Sequence, residues 1–165
     1  LVSGELDLSR PEASLVGRVI GDRPISLIGL DKRLPKDLDG SVHRSVYLPV
    51  IRDRLPDVLE LFDFASASFV TGSRETTNVP TQALYLMNSP FVQDRATALA
   101  KRVRDEAGDD PTARVRFVFR LCFARAPTVD EEASALEFLT VDSKTESLIR
   151  FCQAILCTAE FRNID

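Results

Sequence analysis

The fold is decided by residues 89–139, which read SPFVQDRATALAKRVRDEAGDDPTARVRFVFRLCFARAPTVDEEASALEFL. A polar residue followed by proline occurs twice, at residues 89–90 and 110–111. Each pair is a helix start signal, because the polar side chain can cap the helix and proline needs no N–H partner in the first turn. Thr128 followed by Glu131 forms a capping box, in which each side chain bonds the other residue's backbone N–H. These signals predict three successive helices.

Apolar residues then recur every three or four positions, which places them along one face of each helix. The same pattern continues after a second capping box at residues 143–146. Helices are predicted at residues 90–107, 111–124, 129–140 and 144–160. The fold class is therefore mainly α. We expect residues 1–165 to form a single helical domain, a bundle of about six to seven helices, that is a fragment of a larger multidomain protein.

The first half of the chain is less regular. A capping box at residues 9–12 predicts a helix that ends near residue 20, and prolines open two further helices, a short one near residues 55–62 and another from residue 80. Residues 42–51 are rich in β-branched and aromatic side chains and are expected to be extended, packed against the helices or paired with residues 25–30. Long loops are predicted at residues 22–41 and 64–79.

Composition narrows the class of protein. The chain has 165 residues, of which 44% are hydrophobic and 28% are charged, as in a globular domain with one core. The net charge of −4 provides no positive field for nucleic acid, so we expect no nucleic-acid partner. No apolar run approaches the roughly 20 residues of a membrane-spanning helix, so no membrane span is predicted. The chain begins with Leu1 rather than Met, so the compartment is unknown from the sequence itself.

The reactive residue types are too few for the common catalytic and metal sites. His43 is the sole histidine, and no Gly-x-Ser-x-Gly nucleophile turn occurs. The three cysteines, Cys122, Cys152 and Cys157, lie in apolar helical patterns and are expected to be buried thiols. Without Cys-x-x-Cys-His no covalent haem can attach here. We therefore predict no catalytic residue, no metal ligand and no cofactor in this chain.

Charged residues suggest two structural pairings. Asp63 lies among three phenylalanines, where a carboxylate needs a partner, and Arg74 or Arg44 is the candidate. A structural Asp63–Arg74 ion pair is preferred over a catalytic role for the carboxylate. Residues 95–125 are rich in arginine, whereas residues 128–146 are acidic. This contrast indicates either two helices of opposite charge that pack together or two separate solvated faces.

Several motifs, in order along the chain, carry a resemblance to a known family. They are VSGELD at 2–7, RSVY at 44–47, FD at 62–63, RETT at 74–77, PTQAL at 80–84, N-x-PFV at 88–92, FARAPT-x-x-E at 123–131 and AEF at 159–161. Together they resemble the C-terminal half of the planctomycete-specific domain of unknown function found in large cytochrome c-containing bacterial proteins. Ala65 departs from the proline that the family's Phe-Asp-Phe stretch leads us to expect.

The resemblance implies an upstream haem c domain, a second upstream domain of unknown function, and export to the periplasm or beyond. It brings no catalytic residue with it. It does mark a set of candidate ligand-binding or structural-clamp residues: Arg44, Tyr47, Asp63, Arg74, Thr76, Gln82 and Asn88.

Two hypotheses follow for this set. In the first, the residues are an internal clamp that holds the 64–79 loop, and the chain is a non-catalytic accessory or interaction module whose partners are the upstream domains. In the second, they line a polar pocket for a carbohydrate or an anionic ligand, as one wall of a hydrolytic or redox enzyme acting on polysaccharide. For the helix that Pro80 opens, we expect Ala83, Leu84 and Met87 to be buried and Gln82 to lie at the edge of that stripe, facing the loop.

Overall fold

The protein is represented by a computed structural model. It describes residues 1–10, 41–47, 50, 55–65, 70, 72, 77, 79–140 and 144–162. Contacts divide the chain into two compact units, and the division falls inside one helix. The C-terminal unit comprises Leu1–Glu5 and Ala83–Asp165, and the N-terminal unit comprises Leu6–Gln82. That the chain forms a single domain stays a prediction.

Helices account for nearly all regular structure in the described residues, which confirms the mainly α fold class. They are α1 (Asp57–Leu61), α2 (Pro80–Asn88), α3 (Pro90–Ala107), α4 (Pro111–Phe123), α5 (Val129–Leu139), α6 (Lys144–Cys157) and α7 (Ala159–Arg162). The predicted helix over residues 144–160 is interrupted at Thr158, which separates α6 from α7. None of the helices described here is long and apolar enough to cross a membrane.

The prediction of an extended segment near residues 42–51 is wrong at its centre, where Ser45–Tyr47 form a 3-10 turn. The Tyr47 N–H donates to the Arg44 carbonyl at 2.9 Å. One backbone bond to another segment precedes the turn, from the Asp7 N–H to the Val42 carbonyl at 3.0 Å. Among the described residues this segment pairs with another only at an isolated bridge between Asp7 and His43, and the turn satisfies backbone groups locally. Residues 12–20, 25–30 and 22–40 lie outside the described residues.

The helix starts predicted at residues 90, 111 and 129 are confirmed in position. Asp110 caps α4 by accepting from the N–H groups of Thr112 and Ala113, both at 3.2 Å. Thr128 and Glu131 form the predicted capping box at α5. Ser89 occupies the cap position of α3, but its hydroxyl makes no capping bond, so proline alone marks that start. These short-range signals fix where the helices of the C-terminal unit begin.

The core of the C-terminal unit lies mainly between α3, α4 and α6. Its fully buried members include Leu99 and Val103 of α3, Val115 and Val118 of α4, and Leu148 and Cys152 of α6. Each helix contributes one stripe at the spacing predicted from sequence.

Opposite charges meet between α4 and α5. Arg116 of α4 donates from Nε and Nη2 to both carboxylate oxygens of Glu132 on α5, at 2.6 and 2.9 Å. The basic and acidic segments therefore pack together, which decides between the two alternatives left open by the sequence.

Arg125, in the loop after α4, connects three helices. Its guanidinium binds Glu131 of α5 through two bonds of 2.8 Å and Glu160 of α7 through bonds of 2.6 and 2.8 Å. It also lies over the rings of Phe119 and Phe123, 5.4 and 5.5 Å from their centroids. Bidentate geometry of this kind fixes orientation as well as distance. We call Arg125, Glu131 and Glu160 the arginine bridge.

The arginine bridge predicts acid sensitivity. Hydrogen bonds from Arg125 lower the pKa of Glu131 to about 2, from an ordinary value of 4.5. Because the folded-state pKa is the lower one, this stabilising contribution is fully present above pH 4.5 and is lost as the pH falls toward about 2. We expect the Tm to fall through this window. We also expect Glu131→Gln to flatten the decline, measured by circular dichroism melts at stepped pH.

Glu137→Gln is the matched control, because Glu137 is exposed on the same helix. It should leave the pH dependence of the wild type intact. Equal slopes for the wild type and Glu131→Gln would contradict the role given to the bridge.

Candidate functional site

Asp63 follows the C-terminus of α1 in an uncommon backbone conformation. Its φ is +58°, in the left-handed region where glycine is the usual residue. The Phe64 N–H donates back to the Leu59 carbonyl at 3.0 Å. This bond spans five residues and is the 6→1 bond of a Schellman motif. Aspartate tolerates this conformation better than most residues. Because glycine adopts this conformation more easily, the presence of aspartate indicates that its carboxylate makes a needed contact.

Thr77 binds the Asp63 carboxylate. The Thr77 N–H donates to Oδ2 at 2.7 Å. The Thr77 hydroxyl lies 2.8 Å from Oδ1 and 2.9 Å from Oδ2, and it donates to this carboxylate. Two donors from one residue therefore tie the far end of the 64–79 loop to the end of α1.

Gln82, in the first turn of α2, completes the arrangement from the inside. It is only 2% exposed. Its Nε2 donates to the Leu61 carbonyl at 3.0 Å and to the Thr77 hydroxyl at 3.1 Å. The carbonyl fixes the orientation of the amide, because the opposite flip would set two acceptors against each other. Leu61 ends α1, so its carbonyl is one that the helix itself leaves unpaired.

We call Asp63, Thr77 and Gln82 the polar clamp. It runs from the buried Gln82 amide through the Thr77 hydroxyl to the Asp63 carboxylate. Networks of this kind polarise each bond and are costly to leave partly satisfied. Asp63 and Gln82 were predicted from sequence, whereas Thr77 was missed in favour of its neighbour Thr76. Both threonines stand in the RETT motif, and the sequence offers no signal that separates them.

The predicted buried stripe on α2 is wrong. Ala83 is exposed, and Leu84 and Met87 retain 54% and 51% of their surface. The face that turns inward carries Gln82, followed by the half-buried Tyr85 and Leu86 that pack on the core. Both faces of this helix are rich in apolar residues, so periodicity alone could not choose between them.

The other candidates take separate positions. Arg44 is exposed at the start of the 3-10 turn, and Tyr47 is half-buried at its end. Asn88 is exposed and donates from Nδ2 to the Leu84 carbonyl of its own helix at 2.9 Å. Arg74 and Thr76 lie outside the described residues, and with them the predicted Asp63–Arg74 ion pair.

His43 and the cysteines show little reactive character. His43 Nδ1 is 3.6 Å from Asp7 Oδ2, which is beyond hydrogen-bond length. Hydrogen bonds from Ser9 lower the pKa of Asp7, and His43 adds a smaller effect. Burial raises the pKa of Cys122 to about 11 and that of Cys152 to about 12. Both thiols are thus held in the unreactive protonated form.

A second motif, VSGELD, has its own structural explanation in the C-terminal unit. Gly4 has φ +80° and its N–H donates to the Leu1 carbonyl at 3.0 Å, which closes a turn that favours glycine. Arg102 of α3 donates to the Val2 carbonyl at 3.0 Å, and Arg95 pairs with Glu5 at 3.0 Å. The motif therefore attaches the N-terminal segment to α3.

The buried amide of Gln82 predicts a stability effect. We expect Gln82→Ala to lower the free energy of unfolding by roughly 1–3 kcal/mol, since the Leu61 carbonyl would lose its donor. Urea unfolding followed by circular dichroism measures this difference. Thr81→Ala, at the exposed neighbouring position, should change stability far less. An unchanged midpoint for Gln82→Ala would argue against the clamp.

The backbone at Asp63 allows a separate test. Asp63→Gly and Asp63→Ala both remove the carboxylate, but only alanine keeps a Cβ at positive φ. We expect the alanine variant to be less stable than the glycine variant by about 1 kcal/mol in urea unfolding. Equal stabilities would mean that residue 63 does not need the left-handed conformation.

Comparisons with curated proteins and with solved structures find no match to this chain. The model of one family, PSD1, a protein of unknown function (DUF1553), matches residues 2–139. The matched range begins at the Gly4 turn, includes all three residues of the polar clamp and ends with the last residue of α5. The chain therefore belongs to the PSD1 (DUF1553) family.

Proposed function

We propose that the chain is a non-catalytic accessory or interaction module of a multidomain, exported, haem-containing bacterial protein. In this proposal it is the C-terminal half of the planctomycete domain that its motifs resemble, and an upstream domain holds the haem c. Its partners are the upstream domains of the same polypeptide. The carrying observation is the polar clamp, because the motif residues Asp63, Thr77 and Gln82 use their polar groups on one another.

The hydrogen bonding of the clamp also supports this proposal. Each oxygen of Asp63 accepts from Thr77, at 2.7 to 2.9 Å, so the carboxylate as a whole holds this residue at the end of α1. A binding amide must present its donors outward, whereas Gln82 directs its NH₂ group to Leu61 and Thr77. These groups serve the fold, which favours the accessory role over a polysaccharide-cleaving enzyme.

The outer face of α2 supports the interaction role. Ala83, Leu84 and Met87 lie within one turn of each other and are exposed. The helix is held in this orientation, because Leu86 packs on the core and Gln153 of α6 donates to the Met87 carbonyl at 2.9 Å. Apolar side chains grouped on a fixed surface are typical of a contact site for another protein segment.

The test is binding between this chain and the separately produced upstream part of its parent polypeptide. We expect isothermal titration calorimetry to detect association with the wild-type chain. Leu84→Asp combined with Met87→Asp should weaken binding at least about tenfold, because charges replace apolar contact area. The double variant should melt like the wild type, since both side chains are half exposed in the free chain.

Thr81→Asp is the matched control, because Thr81 is exposed on the same helix but belongs to the polar side. It should bind as the wild type does. Absence of association for the wild type, together with release of reducing sugar from a polysaccharide substrate, would overturn the accessory role in favour of the enzyme hypothesis.

A further inference from the structure

A cavity of about 520 Å³ lies in the C-terminal unit, beside the start of α4 and the helices α5 and α6. Its apolar lining comes from Leu136, Leu139 and Leu148, and Arg114 and Asp109 provide charged lining. The volume falls within the range of roughly 300–1,000 Å³ that is typical of small-molecule sites. A mostly apolar cavity with one buried cation is the arrangement that binds an apolar molecule bearing an anionic head.

Arg114 is unusual among the arginines of the described residues because it is only 8% exposed. Its Nε donates to the Gly108 carbonyl at 2.6 Å, and its Nη2 donates to Asp109 Oδ1 at 2.7 Å. A guanidinium has five N–H groups. These two bonds use the N–H of Nε and one N–H of Nη2. Within the described residues no acceptor takes a bond from Nη1. The outer edge of the fork, between Nη1 and Nη2, is thus available.

The arginine bridge shows what that edge can hold. In Arg125, Glu160 occupies the Nε and Nη2 edge while Glu131 occupies the Nη1 and Nη2 edge. One guanidinium in this protein therefore binds two carboxylates at once. In Arg114 the first edge is taken by Gly108 and Asp109, and no carboxylate among the described residues occupies the edge that corresponds to the Glu131 position.

Asp109 is a weak competitor for Arg114. Its side chain is fully exposed, and exposed ion pairs contribute little because water solvates both charges. It therefore leaves Arg114 largely uncompensated, although its negative charge opposes a second anion nearby. Removal of that charge should strengthen the binding of any anion that uses the same guanidinium.

We propose that this cavity binds a medium-chain monocarboxylate, with the carboxylate on the Nη1 and Nη2 edge of Arg114 and the apolar tail against Leu136, Leu139 and Leu148. Planar bidentate recognition favours a carboxylate head at this fork, and the leucine wall favours an unbranched hydrocarbon tail. The site is independent of the accessory role proposed above.

Isothermal titration calorimetry of the whole chain with decanoate tests the proposal. We expect decanoate to bind, and 1-decanol, which has the same tail but no charge, to bind at least about tenfold more weakly. Arg114→Lys keeps the charge but loses the fork, so it should weaken decanoate about tenfold and leave 1-decanol unchanged. Decanoate binding weaker than about 1 mM, or equal affinity for the two compounds, would overturn the proposal.

Asp109→Asn supplies a test that keeps Arg114 itself and removes only the charge of its exposed partner. It should tighten decanoate binding about threefold, because it removes the neighbouring carboxylate. Asp105→Asn is the matched control, since Asp105 is also exposed but does not line this cavity. If Asp109→Asn leaves decanoate affinity unchanged, the carboxylate does not bind at Arg114 and the proposal fails, whatever the folding of Arg114→Lys.

Discussion

The packing of α3 against α6 is the constraint on which the C-terminal unit depends. Leu99 and Val103 on α3 and Leu148 and Cys152 on α6 lose essentially all their exposure in this contact region. Burial of such side chains is worth about 1.5–3 kcal/mol each for the larger aliphatic ones, and several of them act together in this contact. The remaining polar features act within this frame. The arginine bridge orients the loop between α4 and α5, and the VSGELD turn attaches the first residues to α3.

The sequence predicted those features of the fold that depend on neighbouring residues. Capping residues, prolines at helix starts and the spacing of apolar residues act within four or five positions, so α3, α4 and α5 begin where the signals place them. The segment around Ser45–Tyr47 depends on a distant partner instead. Its β-branched composition favoured an extended conformation, but composition does not supply the second strand that an extended segment needs. The helix break at Thr158 was likewise not evident from the pattern of apolar residues.

The candidate site was predictable only in part, and for a similar reason. Asp63 stood out because a carboxylate among phenylalanines needs a partner, and Gln82 because an amide next to an apolar helix can hold a loop. The donor to Asp63 that the structure describes is Thr77, fourteen residues away, and no local sequence pattern connects the two. The buried face of α2 was predicted wrongly because it includes Gln82, whose amide must reach the Leu61 carbonyl. An apolar stripe at Ala83, Leu84 and Met87 was as good a candidate for burial by spacing alone.

Several motif residues in the described part of the chain hold elements of the fold in place. Gly4 closes a turn, Asp63 and Gln82 belong to the clamp, and Arg125 and Glu131 belong to the bridge. The motif residues named here are engaged in contacts within the fold, so they do not by themselves indicate a reaction. Activity or binding is better sought where groups remain uncommitted after folding. Two places in the described part of the chain meet this description: the outer face of α2, whose apolar side chains face solvent, and the cavity at Arg114, whose guanidinium is buried with one edge left open by the described residues.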